Sequence, residues 1–116
     1  MTQNLMASTV LQGSVLAATT LATTAAIPVY AVGAGAAAII NKGLAYNNSA
    51  SPVGLTVSIV ENGGAAVDVL KFNLPANLTA VLDELEGLRL GPLDGVTFTA
   101  TAGAVVNIVL SGTENN

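Results

Sequence analysis

Apolar and polar residues alternate along most of the chain from Ile27 onward, with the period of two that is typical of half-buried β-strands. The clearest run is residues 55–60, where Leu55, Val57 and Ile59 share one face and the intervening Thr56 and Ser58 share the other. Comparable runs cover residues 27–32, 36–47, 65–74, 96–100 and 105–110. Residues with strong turn preferences separate the runs: Gly33-Ala34-Gly35, residues 47–52, Asn62-Gly63-Gly64, Pro75-Ala76-Asn77 and Thr101-Ala102-Gly103. The pattern predicts a series of short strands joined by tight turns.

Residues 78–90 fit two descriptions. A helix would gather four apolar side chains into one stripe, namely Val81, Leu82, Leu85 and Leu88. Two short strands at residues 78–82 and 88–90, flanking a turn at Asp83-Glu84, fit the same residues. We predict the two strands, because every other element of the chain alternates.

Seven or eight short strands without a sustained helix predict an all-β fold, specifically an antiparallel β-sandwich of the jelly-roll type. Residues 36–47 should place Ile40, Lys42, Leu44 and Tyr46 on one face of their strand, and residues 112–116 should form a polar tail. Strand edges left open should invite pairing with another chain. The predicted core is Leu55, Val57, Ile59, Phe98, Ile108 and Leu110.

No charged side chain occurs before Lys42. Threonine pairs, Pro28 and the glycines near residue 34 interrupt the apolar residues, so this stretch is a poor membrane-spanning helix. It also lacks the positive region of a signal peptide, and Met1 favours an unprocessed chain. We predict an extended N-terminal arm over residues 1–26, followed by a β-sandwich domain over residues 27–116. The first 20 or so residues of the arm should touch neighbouring subunits.

Composition narrows the possible functions. Hydrophobic residues make up 52% of the 116 residues and charged residues only 9%, so the chain is not intrinsically disordered. It has no His and no Cys, which excludes disulfides, thiolate chemistry and imidazole catalysis. Three basic residues against seven acidic ones cannot build a basic face for nucleic acid. With so few charges on its surface, the chain is expected to pack against other subunits.

Candidate chemistry is sparse. Asp83, Glu84 and Glu86 could in principle act as acid and base, but a solvated turn, with Arg89 pairing one of them, explains them better. Gly33-Ala34-Gly35 matches no phosphate-loop consensus, and no loop carries the alternating acids of a calcium site. Asn47 and Asn77 begin short glycosylation sequons. We therefore predict no catalytic residue, cofactor or metal, and no enzymatic activity.

The order of motifs over residues 27–114 resembles that of small β-sandwich structural proteins of tailed bacteriophage virions. The resemblance rests on turn residues and alternation, in the segments Tyr30-Ala31-Val32-Gly33-Ala34-Gly35, Tyr46-Asn47-Asn48-Ser49, Leu55-Thr56-Val57-Ser58-Ile59, Asn62-Gly63-Gly64, Leu74-Pro75-Ala76, Leu93-Asp94-Gly95-Val96 and residues 104–112. Two positions depart from the family pattern: no Pro stands before the first Ala-Gly turn, and the Gly-Asp order is reversed at Asp94-Gly95.

This resemblance implies a virion protein without catalytic residues, which decorates or cements the capsid or forms part of the neck, tail or baseplate. We expect many copies in a homo-oligomer, as a trimer or a ring, in contact with other virion proteins such as the major capsid protein, and no nucleic-acid or membrane partner. The alternative is a secreted or cell-surface module, such as a pilin-like or adhesin domain. With so few charges, assembly should survive high salt.

Overall fold

The structure, a computed structural model, describes residues 14–115, with the side chain of Ser14 excepted. Over this range the chain is all-β. Its strands are β1 (Ser14–Thr20), β2 (Ile27–Ala31), β3 (Ala37–Asn47), β4 (Val53–Val60), β5 (Ala66–Leu74), β6 (Thr79–Val81), β7 (Leu88–Leu90), β8 (Gly95–Ala100) and β9 (Val106–Asn115). A single turn of 3-10 helix, Asp83–Leu85, separates β6 from β7.

The strands form two antiparallel sheets that pack together. In the first sheet β9 lies between β1 and β3, and the other side of β3 pairs with β6 and then with β7. The second sheet has the order β2-β8-β4-β5. The predictions of an all-β fold and of two short strands within residues 78–90 are therefore confirmed.

Large aliphatic side chains and aromatic rings fill the space between the sheets. Leu55 and Val57 from the second sheet, and Ile108 and Leu110 from the first, are fully buried around Phe98. These five were predicted as core; the sixth, Ile59, is half-buried against them. Alternation thus identified these core residues, although the intervening Ser58 and Thr97 are buried as well.

The 3-10 turn brings two leucines into this core, Leu82 directly before the turn and Leu85 at its end. Leu82 and Leu85 are both buried, whereas Asp83 and Glu84 between them are exposed. A continuous strand would place residues an odd number apart on opposite faces, so one of the two leucines would face solvent. The Leu82 amide donates to the Gly43 carbonyl at 2.8 Å, and the Gly87 amide to that of Ile40 at 2.8 Å, keeping the interrupted segment against β3.

From Ser14 onward the chain is not the separate arm that the sequence led us to expect. Strand β1 pairs with β9 inside the first sheet, and Leu21 is fully buried. The Leu21 amide donates to the Val106 carbonyl at 2.8 Å, and the Ala104 amide donates to the Leu21 carbonyl at 2.7 Å. An uncharged segment is as suitable for burial against its own domain as against a neighbour. The rest of the predicted arm, residues 1–13, lies outside the described residues.

The polar tail predicted over residues 112–116 is a strand as far as Asn115. The segment is ordered by backbone pairing with β3, in which Asn115 lies opposite Ala37 and Gly112 lies opposite Ile40. Its polar side chains gave no indication of a strand in the sequence. A Cβ added at Gly112 would collide with the Ile39 carbonyl oxygen, so the close approach of the two strands requires glycine there.

The predicted face of β3 is wrong beyond Ile40. The register against β9 passes from Ile40 directly to Lys42, so Asn41 forms a β-bulge, and a bulge inverts the alternation that follows it. Ile40 faces the core, but Lys42, Leu44 and Tyr46 lie on the outer face. Strand β5 also contains a register change, with a bulge at Val69.

Replacing Leu21 with alanine should destabilise the domain by about 2–5 kcal/mol, because the substitution leaves a cavity in the core beside β9. The matched control is Val15→Ala on the same strand. Val15 is 62% exposed, and its loss should change the free energy of unfolding by less than about 0.5 kcal/mol. Urea unfolding followed by circular dichroism measures both. Equal, small effects would show that this segment is not part of the folded domain.

Candidate functional site: the outer face of the first sheet

The acidic residues singled out from the sequence lie at the surface of the domain. Asp83, Glu84 and Glu86 are exposed on and after the 3-10 turn. Among residues 14–115, no group of three or more acidic side chains is placed to hold a metal ion. The pairing expected of Arg89 is not seen either, because its guanidinium makes no ion pair or hydrogen bond with any residue in this range.

The glycines after β2 form a tight turn. Gly35 has a φ of 78°, and the Ala36 amide donates to the Gly33 carbonyl at 3.2 Å. The segment leads directly into β3 and opens no helix, so it lacks the helix N-terminus that a phosphate loop provides.

The two sequons differ sharply. The Asn47 side chain is fully buried: its Nδ2 donates to the carbonyls of Ser51, Leu74 and Pro75 at 2.8, 3.1 and 3.2 Å, and its Oδ1 accepts from Ser49. This amide ties the loop after β3 to the end of β5, a structural role that the sequence did not reveal, and it cannot accept a glycan in the folded chain. Asn77 is exposed in a turn.

Asp94 is a second polar residue whose role the sequence did not reveal. Its Oδ1 accepts from the Asn62 amide and its Oδ2 from the Gly91 amide, both at 2.8 Å. One carboxylate thereby joins the β4–β5 hairpin to the turn before β8. These bonds fix that end of the domain.

A buried tyrosine links the two sheets. The Tyr30 hydroxyl on β2 donates to the Glu114 carboxylate on β9. Burial, and then the hydrogen bond and negative charge of Glu114, raise the pKa of the Tyr30 phenol well above its ordinary value. The phenol is therefore a neutral donor in the folded state, which suits a structural tie rather than an acid–base role.

The most distinctive surface is the outer face of the first sheet. Register places Ala18, Val109, Leu44 and Val81 opposite one another, so one apolar row crosses all four strands. We call this row, together with its outer-face neighbours Ile39, Tyr46 and Val15, the apolar face. Val81 and Val15 are 46% and 62% exposed, although both are large aliphatic residues.

The equivalent row of the second sheet is polar. It consists of Pro28, Thr97, Ser58 and Asp68, and the next row is Thr99, Thr56 and Lys71. The Ser58 hydroxyl donates to Asp68 at 2.7 Å, which satisfies one pair within the face. Exposed Val67 and Val69 lie beside this face on the edge strand β5, and Leu78 and Leu93 lie in loops. The central rows of the two outer faces thus differ in chemical character. Polar residues flank the apolar row on the first sheet, with Thr20, Asn107 and Thr79 alongside Tyr46 and with Ser111 and Lys42 alongside Val15. The apolar row is the candidate for contact with a partner.

The sheet edges, in contrast, are poorly suited to pairing. Each of the edge strands β1, β2 and β5 contains a bulge, at Leu16, Val29 and Val69 respectively. The fourth edge is divided into β6 and β7 by the 3-10 turn. Bulges and interruptions are devices that prevent edge-to-edge association. A face of the domain is therefore better suited to binding a partner than a sheet edge is, whereas the sequence led us to expect pairing at the strand edges.

Two depressions border the apolar face. One, of about 480 Å³, lies at its β7 end between β7, β3 and β9, beside Ile39 and Arg89. The other, of about 530 Å³, lies over β1 and β9 and includes Ala18 and Val109. Both therefore belong to the first sheet.

Comparison of the chain with known protein families, curated proteins and solved structures gives no match. No helix within residues 14–115 is long and apolar enough to cross a membrane.

Because of Tyr30, the free energy of unfolding should decrease at alkaline pH. An unfolded tyrosine loses its proton near pH 10, whereas the folded phenol retains it, so stability should fall as the pH rises above about 10. Tyr30→Phe removes this component, and its urea midpoint should fall less than that of the wild type between pH 8 and pH 11. Glu114→Gln should retain most of the decrease in stability with pH, because burial is the largest cause of the raised Tyr30 pKa. Equal falls in the wild type and Tyr30→Phe would contradict the assignment.

Proposed function

We propose that the two sheets form a jelly-roll sandwich. If β6 and β7 are taken as one strand interrupted by the 3-10 turn, each sheet has four strands. Every connection along the described chain then crosses from one sheet to the other, except the hairpin from β4 to β5. This pattern supports the proposal, because a jelly roll winds eight strands between two sheets in the same way.

We propose further that the protein is a non-enzymatic structural component of a tailed-bacteriophage virion, acting as a capsid decoration or cement protein through packing of many copies. The observation that carries this proposal is the apolar face, on a domain whose opposite face is polar. The resemblance of the turn and strand motifs to virion β-sandwich proteins supplies the biological setting, and viral capsids are among the places where jelly rolls occur.

The size of the apolar face favours repeated contacts over a single tight one. Four strands about 4.8 Å apart, each contributing about six residues of about 3.3 Å, cover roughly 400 Å². A stable pairwise interface buries about 800 Å² on each partner. One such contact is weak, but a symmetric shell or ring, or a capsid lattice beneath it, repeats the contact and makes the assembly secure.

A neck, tail or baseplate position would use the same face in the same way and is the nearest alternative. A secreted or cell-surface module is the second alternative. Mass spectrometry of purified particles, followed by electron cryo-microscopy, separates these possibilities. The proposal predicts many copies on the capsid surface. Recovery of the chain only from the cell envelope or the medium would overturn it.

An aspartate in the apolar row should prevent self-association. Leu44→Asp and Val109→Asp each place a charge where a neighbour would have to bury it, and removing it from water is unfavourable. Thr99→Asp, in the centre of the polar face, is the matched control and should assemble normally. Light scattering over a salt series measures assembly, and circular dichroism verifies folding.

For the wild type we expect assembly to persist at about 1 M sodium chloride, where electrostatic screening is strong. Dissociation at that concentration would show that charges hold the copies together. Loss of assembly in Thr99→Asp, with normal assembly of folded Leu44→Asp, would assign the interface to the second sheet.

A further inference from the structure

We propose that the groove at the β7 end of the apolar face, defined by Ile39, Arg89, Asn41, Thr113 and Asn115, is a binding site for a carboxylate that carries a short aliphatic chain. The groove has a volume of about 480 Å³, within the usual range for small-molecule sites. The proposal rests on the groove itself and holds whether or not the protein belongs to a virion.

The floor of the groove is apolar and its position is fixed by strand register. Ile39 lies opposite Arg89 on one side and opposite Thr113 on the other, so these three side chains form one row across β7, β3 and β9. Ala37 lies opposite Asn115 in the adjoining part of the sheet. With strands about 4.8 Å apart, the Cα atoms of Arg89 and Thr113 are separated by about 10 Å. An alkyl chain of a few carbons fits over Ile39 between them.

Arg89 supplies the charge that such a ligand needs. Its side chain is exposed, and its guanidinium makes no ion pair or hydrogen bond with any residue of 14–115. Only three basic residues occur in the chain, yet this one stands at a concave site instead of pairing with one of the seven acidic residues. Arginine holds a carboxylate through two parallel N–H donors, which fixes the orientation of the ligand as well as binding it.

A side-chain amide at the bulge extends the polar rim of the groove. Because Asn41 is the extra residue of the β3 bulge, its side chain joins the outer-face lining next to Ile39 instead of following the regular alternation. Asn41, like Arg89, makes no side-chain hydrogen bond within the described residues. Bulges commonly re-aim side chains next to binding sites. Its amide can donate to a second oxygen of a bound anion.

The chemistry favours a carboxylate over a phosphate or a neutral ligand. One guanidinium and uncharged amides match a single negative charge, whereas a dianion in a protein of net charge −4 would need further cations. The Asp94 carboxylate accepts from the Asn62 and Gly91 amides, and it makes no hydrogen bond or ion pair with Arg89. A neutral alcohol would leave the guanidinium without an anionic partner.

Titration of the ¹⁵N-labelled full chain with sodium hexanoate, hexanol and inorganic phosphate tests the site by NMR. Hexanoate should shift the amide resonances of Ile39, Leu90 and Thr113, whereas hexanol and phosphate should bind at least about tenfold more weakly. Arg89→Gln should weaken hexanoate binding by at least about tenfold. The matched control Lys71→Gln, a cation on the second sheet, should leave it unchanged. Both cations are exposed, so both variants should fold.

A short peptide with a glutamate between leucines identifies the source of the carboxylate. Tighter binding of the peptide than of hexanoate assigns the groove to an acidic side chain of a partner protein, and the reverse assigns it to a free aliphatic acid. Equal binding of hexanol and hexanoate, an unchanged affinity in Arg89→Gln, or shifts confined to residues outside the groove would each overturn the proposal. Ile39→Ser, which removes the apolar floor and retains Arg89, should also reduce hexanoate binding.

Discussion

Strand β9 hydrogen-bonds to β1 on one side and to β3 on the other, and so joins three segments that are far apart in the sequence. Much of the first sheet depends on this arrangement. It buries Leu21 beside Val106, it orders the polar residues 113–115 against β3, and it brings Glu114 to Tyr30 of the opposite sheet. It also builds both the apolar face and the groove, since Val109 and Thr113 are β9 residues. Long-range pairing of this kind forms slowly, because loop-closure entropy is lost before the contact is gained.

The bulges decide how this domain can meet other chains. Three of them lie on edge strands, at Leu16, Val29 and Val69, and each disturbs the row of backbone groups that an incoming strand would need. The fourth, at Asn41, lies inside the first sheet and turns Lys42, Leu44 and Tyr46 outward. Had β3 continued without it, these three side chains would point into the core, where a lysine is strongly unfavourable. The bulge at Asn41 therefore keeps Lys42 in solvent and at the same time places two large apolar residues, Leu44 and Tyr46, on the outer face.

Sequence periodicity could predict the strands but not these irregularities. Residues 55–60 were assigned correctly as a strand with Leu55 and Val57 in the core, although Ser58 is buried as well and Ile59 only half-buried. The bulge at Asn41 has no signature in a single sequence, because Ile40 and Leu44 are both apolar and either face was possible. The strand character of residues 112–115 was hidden because backbone pairing, not side-chain burial, orders them. Asn47 and Asp94 resembled ordinary loop residues, and only the structure shows the several backbone groups that each one joins.

Because the surface carries few charges, few groups are present to fix the orientation of a partner bound to this domain. Apolar contacts are attractive in many relative positions, and charged or hydrogen-bonding groups normally select one of them. Two of the three cations, Lys42 and Arg89, lie on the outer face of the first sheet, whereas Lys71 lies on the second. The acidic turn of Asp83, Glu84 and Glu86 interrupts the edge of that same sheet, between β6 and β7. Any partner of the apolar face would therefore meet cations within the face and carboxylates along one edge, and this asymmetry would favour some orientations over others.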